Sequence, residues 1–553
     1  MKSGNAITLG LLLVPAVYTD AKPAEPARTI PNIILILSDD MGYSDIGCYG
    51  GEVKTPNLDA LASEGVRFSQ FYNAARCCPT RASLLTGMYP HQAGVGYMTA
   101  RLGKTEAYQG HIKKEVRTIA GYLKDRGYTT LHVGKWHVGG PENKTMPCDK
   151  EFEKAWAPMG RVNYWNTENV YENGQIRPVS EAEQKYLTDV QGDKALEYMQ
   201  YANSKAQPFF MYLAFNAAHW PLHAKEEDIA RYRGRFMTGW NKLREERIRR
   251  LDSIGLVAAV DPSMINDPSV PEWESVPEGD RFPGYHPVTS NEHDQDDWDL
   301  KMAVYAAQID CMDQNIGRII QKLKEMGHYE NTLILFLQDN GACAEGIGKN
   351  EPYLPGTPES YVAYGLPWAH LSNTPFKMYK HFLHEGGIST PFIVHWPNGI
   401  DDGRKGTIEK ESFGHLIDVV PTCLDAAGAG NLNDFPYLEG QSLLEVVNGK
   451  AENSHRQIFW EHEGNRAVRK GDWKLVSRYG DDYRYFNAWG WKKEPREKEW
   501  ELYNIREDRW ERYDVAEKYP VRVSEMKKDL LQWGEKVGVI PREEIIKGSK
   551  FKM

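Results

Sequence analysis

Unbroken apolar runs alternate with amphipathic stretches through most of the chain. Five of the runs have the length of a strand and lie at residues 32–37, 129–133, 209–215, 332–337 and 391–396. The stretches between them carry apolar residues at helical spacing, most clearly at 55–65 and 302–326. Strands that are apolar on both faces are buried on both faces, which is typical of parallel sheets covered by helices. The pattern therefore predicts an α/β domain with a mostly parallel sheet.

The pattern changes after about residue 440. Short strand-like pieces at 457–460, 466–468 and 473–476 precede a helical stretch at 521–537. Closely spaced short strands predict an antiparallel sheet, and the later stretch predicts a helix packed on it. We therefore expect a large domain over residues 28–445 and a C-terminal subdomain over 446–553, because 553 residues exceed one ordinary core.

A segment of different composition interrupts the large domain at about residues 223–299. It is strongly charged from 244 to 250 and then rich in Pro, Asp and Glu. We expect a helix and a long loop that lie over the core. Two interpretations stay open, a solvated surface excursion or a wall of the substrate cleft, because long ordered loops are often functional.

The charge balance restricts the partners. The formal net charge is −10, whereas a protein surface that binds nucleic acid is usually basic. We therefore expect no nucleic-acid partner. An anionic substrate would have to be attracted by a local basic pocket.

The N-terminus predicts export. Lys2 is followed by an apolar run at 6–17 and by small residues near 19–21, which together indicate a signal peptide over residues 1–21. A disordered apolar tail is the alternative. The run of about 12 residues is shorter than the ~20 needed to cross a bilayer. We expect a secreted or periplasmic protein without a membrane span.

The number of cysteines is odd. Seven occur, at positions 48, 77, 78, 148, 311, 343 and 423, so in an exported protein at least one thiol is free or modified. Pro79 suits the first position of a helix, which residues 81–86 continue. Cys77 and Cys78 then lie at a helix start, where free N–H groups favour an anion. An inert buried pair or a disulfide is the alternative.

Polar residues directly follow four of the predicted strands. Two acidic clusters and two Lys/His clusters occur there, comprising Asp39, Asp40, Lys135, His137, His219, Asp339 and Asn340. Ligands of open α/β sheets bind beyond the carboxyl ends of the strands, so one site is expected there. The oxygen ligands suit Ca²⁺ or Mg²⁺, and the acidic clusters lack the His and Cys partners of zinc. A turn or a helix N-cap is the alternative for a single acidic pair.

One segment resembles a known family signature. The run Cys77-x-Pro79-Thr80-Arg81-Ala82-Ser83-Leu84-Leu85-Thr86-Gly87 is similar to that of the type I sulfatases, in the bacterial arylsulfatase-like branch of the alkaline phosphatase superfamily. Further blocks resemble the same family: Asp39-Asp40, Gly134-Lys135-x-His137, His219-x-Pro221, Asp339-Asn340-Gly341, Lys380 before Glu385-Gly386-Gly387, and Glu501-Leu502-Tyr503-Asn504. The resemblance covers most of the chain and implies an alkaline-phosphatase-like sheet with a small C-terminal antiparallel sheet.

The resemblance also implies a chemistry. Cys77 would be oxidised to formylglycine by a maturation enzyme and would act as the nucleophile on a sulfate monoester. One divalent ion, Ca²⁺ or alternatively Mg²⁺, would be held by Asp39, Asp40, Cys77, Asp339 and Asn340. The sulfate would be bound by Lys135, Lys380 and His219. Catalytic roles would fall to Arg81, His137 and His219, the last as proton donor to the leaving alcohol.

The sequence indicates the substrate less directly than it indicates the reaction. Candidate substrate-binding residues are Trp220, His223, His462, Asn465 and Arg466, while His91 either lines the pocket or caps a helix. We expect a sulfated carbohydrate, with galactose 3-sulfate on a host glycan as the specific hypothesis. The alternatives are a broad arylsulfatase, a phosphonate monoester or phosphodiester hydrolase of the same superfamily, and a glycan-binding pseudoenzyme.

Overall fold

The computed structural model describes residue 1 and residues 30–102, 105–258, 267, 270–275, 295–347, 353–452, 457–477 and 499–548. The predicted signal peptide therefore lies outside the described residues apart from Met1. None of the helices in these ranges combines the length and the apolar character needed to cross a membrane.

The described strands form one large sheet, one short pair and one small C-terminal sheet. Their bounds are β1 (Asn32–Ser38), β2 (Val66–Phe68), β3 (Phe71–Tyr72), β4 (Thr129–Gly134), β5 (Lys154–Met159), β6 (Asn169–Glu172), β7 (Gln175–Pro178), β8 (Phe209–Ala214), β9 (Thr332–Gln338), β10 (Phe392–His395), β11 (Thr407–Glu409), β12 (Gly414–His415), β13 (Ile458–His462), β14 (Asn465–Lys470), β15 (Trp473–Ser477) and β16 (Trp500–Asn504).

The described helices flank these sheets. Their bounds are α1 (Pro56–Ser63), α2 (Cys77–Thr86), α3 (Pro90–Ala93), α4 (Ile119–Lys124), α5 (Leu187–Asn203), α6 (Glu226–Ala230), α7 (Trp240–Ser253), α8 (Gln295–Glu325), α9 (Gly365–Ser372), α10 (Glu385–Ile388), α11 (Val419–Ala426), α12 (Leu444–Val447), α13 (Pro520–Val537) and α14 (Arg542–Gly548).

The large sheet has the strand order β11-β2-β10-β9-β1-β8-β4-β5-β6-β7. Its centre is parallel, since β1 pairs in parallel with β8 and β9, and β4 pairs in parallel with β8. The predicted mostly parallel α/β fold is confirmed. The run at 391–396 differs from the other four, because β10 pairs antiparallel with β9 and β2.

Both faces of the sheet are covered by helices. In β1, residues 34 and 36 join one apolar layer, whereas residues 33, 35 and 37 join the other. Helices α1, α5 and α8 contribute to the first layer, and α2, α4 and α11 contribute to the second. The uninterrupted apolar character of β1 follows from this burial, because alternate side chains of a strand point to opposite faces.

The C-terminal sheet packs on the large domain. Strands β13 to β16 are successively antiparallel, and helix α13 covers them through Leu530 and Trp533. The same apolar cluster includes Leu383 and Ile388 of the large domain. The small sheet therefore supports the segment on which Lys380 lies. The boundary between residues 445 and 446 stays a prediction.

Candidate active site

Four neighbouring strands end at one edge of the sheet. In the order β9-β1-β8-β4, they are followed respectively by Asp339 and Asn340, by Asp39 and Asp40, by His219, and by Lys135 and His137. Parallel strands present their carboxyl ends on the same side, so residues far apart in sequence meet there. The structure thus brings together the two acidic clusters and the two Lys/His clusters.

Helix α2 places Cys77 against this edge. The helix begins at Cys77, two residues before the predicted start at Pro79. Pro79 is then the third residue, where its missing N–H leaves no intrahelical hydrogen bond unmade. Cys77 is 2% exposed, and its sulfur lies within 4.8 Å of carboxylate oxygens of Asp39 and Asp339. All seven cysteines are free thiols in the structure.

Arg81 connects the helix to the acidic clusters. Its Nη2 lies 2.8 Å from Asp339 Oδ2 and 3.5 Å from Asp39 Oδ2. Its Nη1 donates to the backbone carbonyl of Lys135 at 3.1 Å. One buried guanidinium therefore holds three strand ends in register with the first turn of α2.

The two lysines and His219 face the same carboxylates. Lys380 Nζ lies 2.7 Å from Asp40 Oδ1, and His219 Nε2 lies 3.4 Å from Asp40 Oδ2. Lys135 Nζ contacts Asp39 Oδ2. Positive charge thus surrounds the acidic centre on the side of Cys77, which suits an anionic substrate.

Burial and neighbouring charges shift the pKa values of the carboxyl groups in opposite directions. Burial and the charge of Asp39 raise the pKa of Asp339 to about 7, although Arg81 and Lys135 oppose the shift. Burial also acts to raise the pKa of Asp39, but Lys135, His219 and Arg81 outweigh it and hold that pKa below its usual range. Because the buried carboxyl groups repel one another, Asp339 loses its proton less readily than an exposed aspartate does.

The imidazoles and the thiol respond mainly to burial. Burial lowers the pKa of His137, and Lys135 lowers it further. Burial also lowers the pKa of His219, although Asp40 opposes it. The pKa of Cys77 is raised by burial despite the nearby charges of Lys380 and Lys135. The unmodified thiol is therefore a poor nucleophile at neutral pH.

Two buried oxygens in the acidic centre have no hydrogen-bond donor. Asp39 Oδ1 and Asn340 Oδ1 are buried without a hydrogen-bond partner. The orientation of Asn340 is set by its Nδ2, which donates to Asp40 Oδ1 at 2.7 Å and to the carbonyl of Gly341. Buried acceptors without donors are costly, and hard cations prefer carboxylate and amide oxygens. The residues present therefore fit a divalent ion of the Ca²⁺ or Mg²⁺ class.

A cavity of about 730 Å³ opens onto these groups. Cys77, Lys135, His137, His219 and Lys380 form one end of its wall. The predicted substrate residue Trp220 also lines it. No described residue between 223 and 258 does so, which removes the cleft-wall interpretation for that part of the 223–299 segment. There Arg247 of α7 instead binds the carboxylates of Asp45 and Glu52.

Further polar residues that sequence reasoning missed line this cavity, among them Arg76, Glu345 and Glu463. Arg76 Nη1 lies 2.8 Å from Glu345 Oε1, and the indole Nε1 of Trp220 donates to Glu345 Oε2 at 3.0 Å. Glu463 lies in the wall as well. Arg76 directly precedes Cys77 in the sequence, which is the only local signal for it. Nothing near Glu345 in sequence indicates its place.

Several predicted substrate residues, His223 among them, lie outside the cavity wall. His223 is buried, and its Nε2 bonds the carbonyl of Ser360 at 2.7 Å, so it supports a loop. His462, Asn465 and Arg466 belong to β13 and β14 and are not among the residues that line the cavity.

His91 is structural too. Its Nε2 lies 2.6 Å from Glu461 Oε2 and 3.1 Å from Tyr108 Oη, away from the cavity wall.

Backbone strain clusters around the site. Residues other than glycine with positive φ include Asp40, Ala75, His137, His381 and Glu463, all in or beside the cavity wall. Such conformations are uncommon for these residue types and concentrate at functional sites.

Comparison with known proteins identifies the family of this chain. The sequence profile of the sulfatase family covers residues 31–429. The chain belongs to the sulfatase family. A second profile, of the C-terminal region of N-sulphoglucosamine sulphohydrolase, covers residues 376–536. The resemblance of the Cys77 segment to a sulfatase signature is thereby confirmed, and the protein is a sulfuric ester hydrolase.

Relatives of this sulfatase span nearly the whole chain. An uncharacterized sulfatase of Schizosaccharomyces pombe is 30% identical over 564 residues, which cover 94% of this chain and 96% of that protein. The arylsulfatase of Klebsiella aerogenes is 36% identical over 439 residues, covering 72% of this chain and 87% of that protein. A protein solved in complex with its substrate D-glucosamine-2-N,6-O-disulfate has a TM-score of 0.60 at 21% identity, over 93% of this chain and 100% of that one. This last likeness concerns the fold alone.

Proposed function

We propose that this sulfatase is an exported enzyme that hydrolyses sulfate monoesters of carbohydrates, with formylglycine at position 77 and one divalent ion, Ca²⁺ in preference to Mg²⁺. The observation that carries the proposal is the meeting of Cys77 with unpaired buried oxygen ligands and with Lys135, Lys380 and His219 at one sheet edge.

The acidic centre would hold the ion. Asp39, Asp40, Asp339 and Asn340 are its oxygen ligands, together with the side chain at position 77. When bound, the ion would offset the negative charge of the sulfate and would help to activate a hydroxyl of the residue at position 77. Arg81 orients this centre, because it binds Asp339 and Asp39 from the first turns of α2.

Formylglycine would replace the thiol as the nucleophile. The hydrated aldehyde supplies two hydroxyls on one carbon, one to attack sulfur and one to expel sulfate by collapse to the aldehyde. The burial that raises the pKa of the Cys77 thiol is consistent with a site that uses the modified residue. Arg81 would hold one of these hydroxyls in place, and His137 would take a proton from a hydroxyl.

The basic groups would hold and protonate the substrate. Lys135 and Lys380 bind the sulfate oxygens, where two ammonium groups offset the charge of the ester. His219 directs its Nδ1 to the carbonyl of Trp220 and its Nε2 toward Asp40. In the protonated imidazole Nδ1 keeps its proton for that carbonyl, so Nε2 is the atom that would give a proton to the leaving alkoxide.

The cavity wall beside the reaction centre suits a sugar. Arg76 and Glu345 form a charged pair in its wall, and Trp220 lies beside them. Charged hydrogen-bonding groups next to an aromatic ring suit a polyhydroxylated ring. A structural neighbour of the same fold has a disulfated glucosamine as its substrate. Galactose 3-sulfate is our first candidate.

The same cavity also favours the arylsulfatase alternative in part. Its wall includes Met98, Met146, Met159 and Val162, and thioether and aliphatic side chains accept an aromatic ring. An aryl sulfate is therefore expected to be a usable substrate, and it serves as a reference in the assays below.

A substrate panel tests the proposal. The full chain, produced with a formylglycine-generating enzyme, is assayed against position-defined sulfated monosaccharides, 4-nitrophenyl sulfate and a phosphodiester of the same phenol. Mass spectrometry of the peptide containing residue 77 reports the modification. Cys77→Ala should retain the fold and lose turnover. A clear preference for the phosphodiester, or full activity with an unmodified thiol, would contradict the proposal.

Export is a separate part of the proposal. It rests on the sequence pattern of residues 1–21 alone. N-terminal sequencing of the mature protein from its host tests it. A mature chain that still begins at Met1 would remove this part without affecting the chemistry.

A further inference from the structure

A tight turn of the C-terminal sheet reaches into the cavity wall. Strands β13 and β14 are antiparallel and end on the pair His462 and Asn465, so the turn is Glu463-Gly464. The φ angles of these two residues are 52° and 85°. A two-residue turn with both φ values positive is of type I′, which favours Asn-Gly.

The same chain uses the favoured residues in another hairpin. Strands β6 and β7 pair through Glu172 and Gln175, and the turn between them is Asn173-Gly174, with φ angles of 49° and 96°. That turn is exposed. Of these two hairpin turns, the one that faces the cavity has a glutamate where asparagine is favoured, as expected where a side chain is kept for function.

Glu463 offers an ionised acceptor beside the sulfate-binding groups. Its Oε2 lies 3.6 Å from His381 Nδ1, and its Oε1 lies 3.7 Å from His462 Nε2. Burial acts to raise the pKa of Glu463, but His381, His462 and Arg76 outweigh it and hold that pKa below its usual range. A carboxylate accepts hydrogen bonds and cannot donate them. His381 directly follows Lys380, so this acceptor lies near one of the proposed sulfate-binding groups.

We infer that Glu463 is a specificity-determining residue, whose carboxylate accepts a hydrogen bond from a hydroxyl group of the sugar that carries the sulfate. The inference rests on the proposed function. A phenolic leaving group has no second hydroxyl to donate, so Glu463 contributes to turnover of a sugar sulfate and not of a simple aryl sulfate.

Two variants separate recognition from folding. Glu463→Gln keeps the size of the side chain and removes its charge. Glu463→Asn withdraws the acceptor and creates the favoured Asn-Gly turn, so its melting temperature should equal or exceed that of the wild type. Asn173→Glu is the matched control: it puts Glu-Gly into the exposed hairpin, and should lower the melting temperature without changing substrate preference.

The measured quantity is kcat/KM per formylglycine for two substrates, 4-nitrophenyl sulfate and the sugar sulfate turned over best in the monosaccharide panel. Both Glu463 variants should lose about 10- to 150-fold on the sugar sulfate, the range expected for a hydrogen bond to a charged group, and less than about 3-fold on the aryl sulfate.

Every other outcome contradicts either the inference about Glu463 or the proposed function, and the two kinds of failure can be told apart. An equal loss on both substrates would give Glu463 a role in the reaction centre, and no loss on either would remove its role. Wild-type turnover of the aryl sulfate alone would reject sugar recognition. Wild-type turnover of neither ester, with formylglycine present, would instead reject the proposed function.

Discussion

The substitution Lys474→Met is expected to impair catalysis from outside the cavity. Lys474 Nζ lies 2.9 Å from Glu385 Oε1 and 2.8 Å from Glu511 Oε1, and all three side chains are fully buried. Glu511 Oε2 also accepts from the backbone N–H of Glu385 at 2.7 Å. The C-terminal subdomain thus holds the first residue of α10 through Lys474, through Glu511 and through Arg509, whose Nε lies 3.5 Å from Glu385 Oε2.

These contacts act on the segment that presents Lys380. Glu385 follows Lys380 by five residues, and the two glycines after it pack against the carbonyls of that segment. A Cβ atom on Gly386 would lie 2.2 Å from the carbonyl oxygen of Met378, and one on Gly387 would lie 1.9 Å from that of Phe382. A shift of Glu385 is therefore transmitted to the Lys380 segment by close backbone contact.

The magnitude follows from the burial of the partners. Removing one member of a buried ion pair leaves an uncompensated charge and costs about 3–5 kcal/mol. Because a domain is stable by about 5–15 kcal/mol, the variant should still fold at low temperature. Displacing a substrate-positioning group by about 1 Å costs on the order of 100-fold in rate. We expect a loss of that order in kcat, together with weaker inhibition by inorganic sulfate, which would bind Lys380 under the proposed function.

The assay combines urea unfolding with kinetics per formylglycine. Lys225→Met is the matched control, because Lys225 Nζ also lies between two carboxylates, 3.1 Å from Asp189 and 3.4 Å from Asp228. It should lose stability but keep kcat and sulfate inhibition. If Lys474→Met unfolds earlier yet shows unchanged kcat and sulfate inhibition, the proposed link to Lys380 is wrong.

Three further predictions concern packing, pH and the ion. Gly341→Ala would place a Cβ atom 1.8 Å from the carbonyl oxygen of Gly386; we expect an unfolding free energy lower by about 1–3 kcal/mol and reduced kcat, and wild-type values in both would refute the close contact. Burial lowers the pKa of His132 to about 3, so only the unfolded chain gains this proton as the pH falls from 6.5 to 4. The unfolding free energy should then fall, with a contribution of about 1.4 kcal/mol per pH unit from this residue. In His132→Asn the slope of the unfolding free energy against pH should be smaller by about that amount. Chelation of divalent ions should lower both melting temperature and activity, with Ca²⁺ restoring them in the wild type and not in Asp39→Ala; a wild type indifferent to chelation would contradict the ion site.

Much of the fold could be predicted from local pattern. Strands β1, β4, β8 and β9 are apolar on both faces because both faces are covered, and each ends within about two residues of its predicted bound. The antiparallel direction of β10 could not be predicted this way, because a buried strand is apolar whichever way it runs. Direction depends on the path of the chain between strands.

The residues of the candidate site also fall into those that could be predicted from local sequence and those that could not. Residues that directly follow strand ends, such as Asp39 and His219, could be assigned to one edge because parallel strands share their carboxyl ends. Glu345 could not, since it meets Arg76 across a separation of 269 residues. His462 and Asn465, which the sequence suggested as substrate-binding residues, do not line the cavity, whereas Glu463 in the turn between them does.

Sequence alone determined the elements that local periodicity encodes, the family signature around Cys77, and the strand ends that carry the acidic and basic clusters. Tertiary structure decided which remaining polar residues share the cavity, and it assigned His223 and His91 to structural hydrogen bonds instead. The physical reason is that burial and hydrogen-bond partners depend on chain segments brought together by packing. A side chain's type and its neighbours in sequence do not specify them.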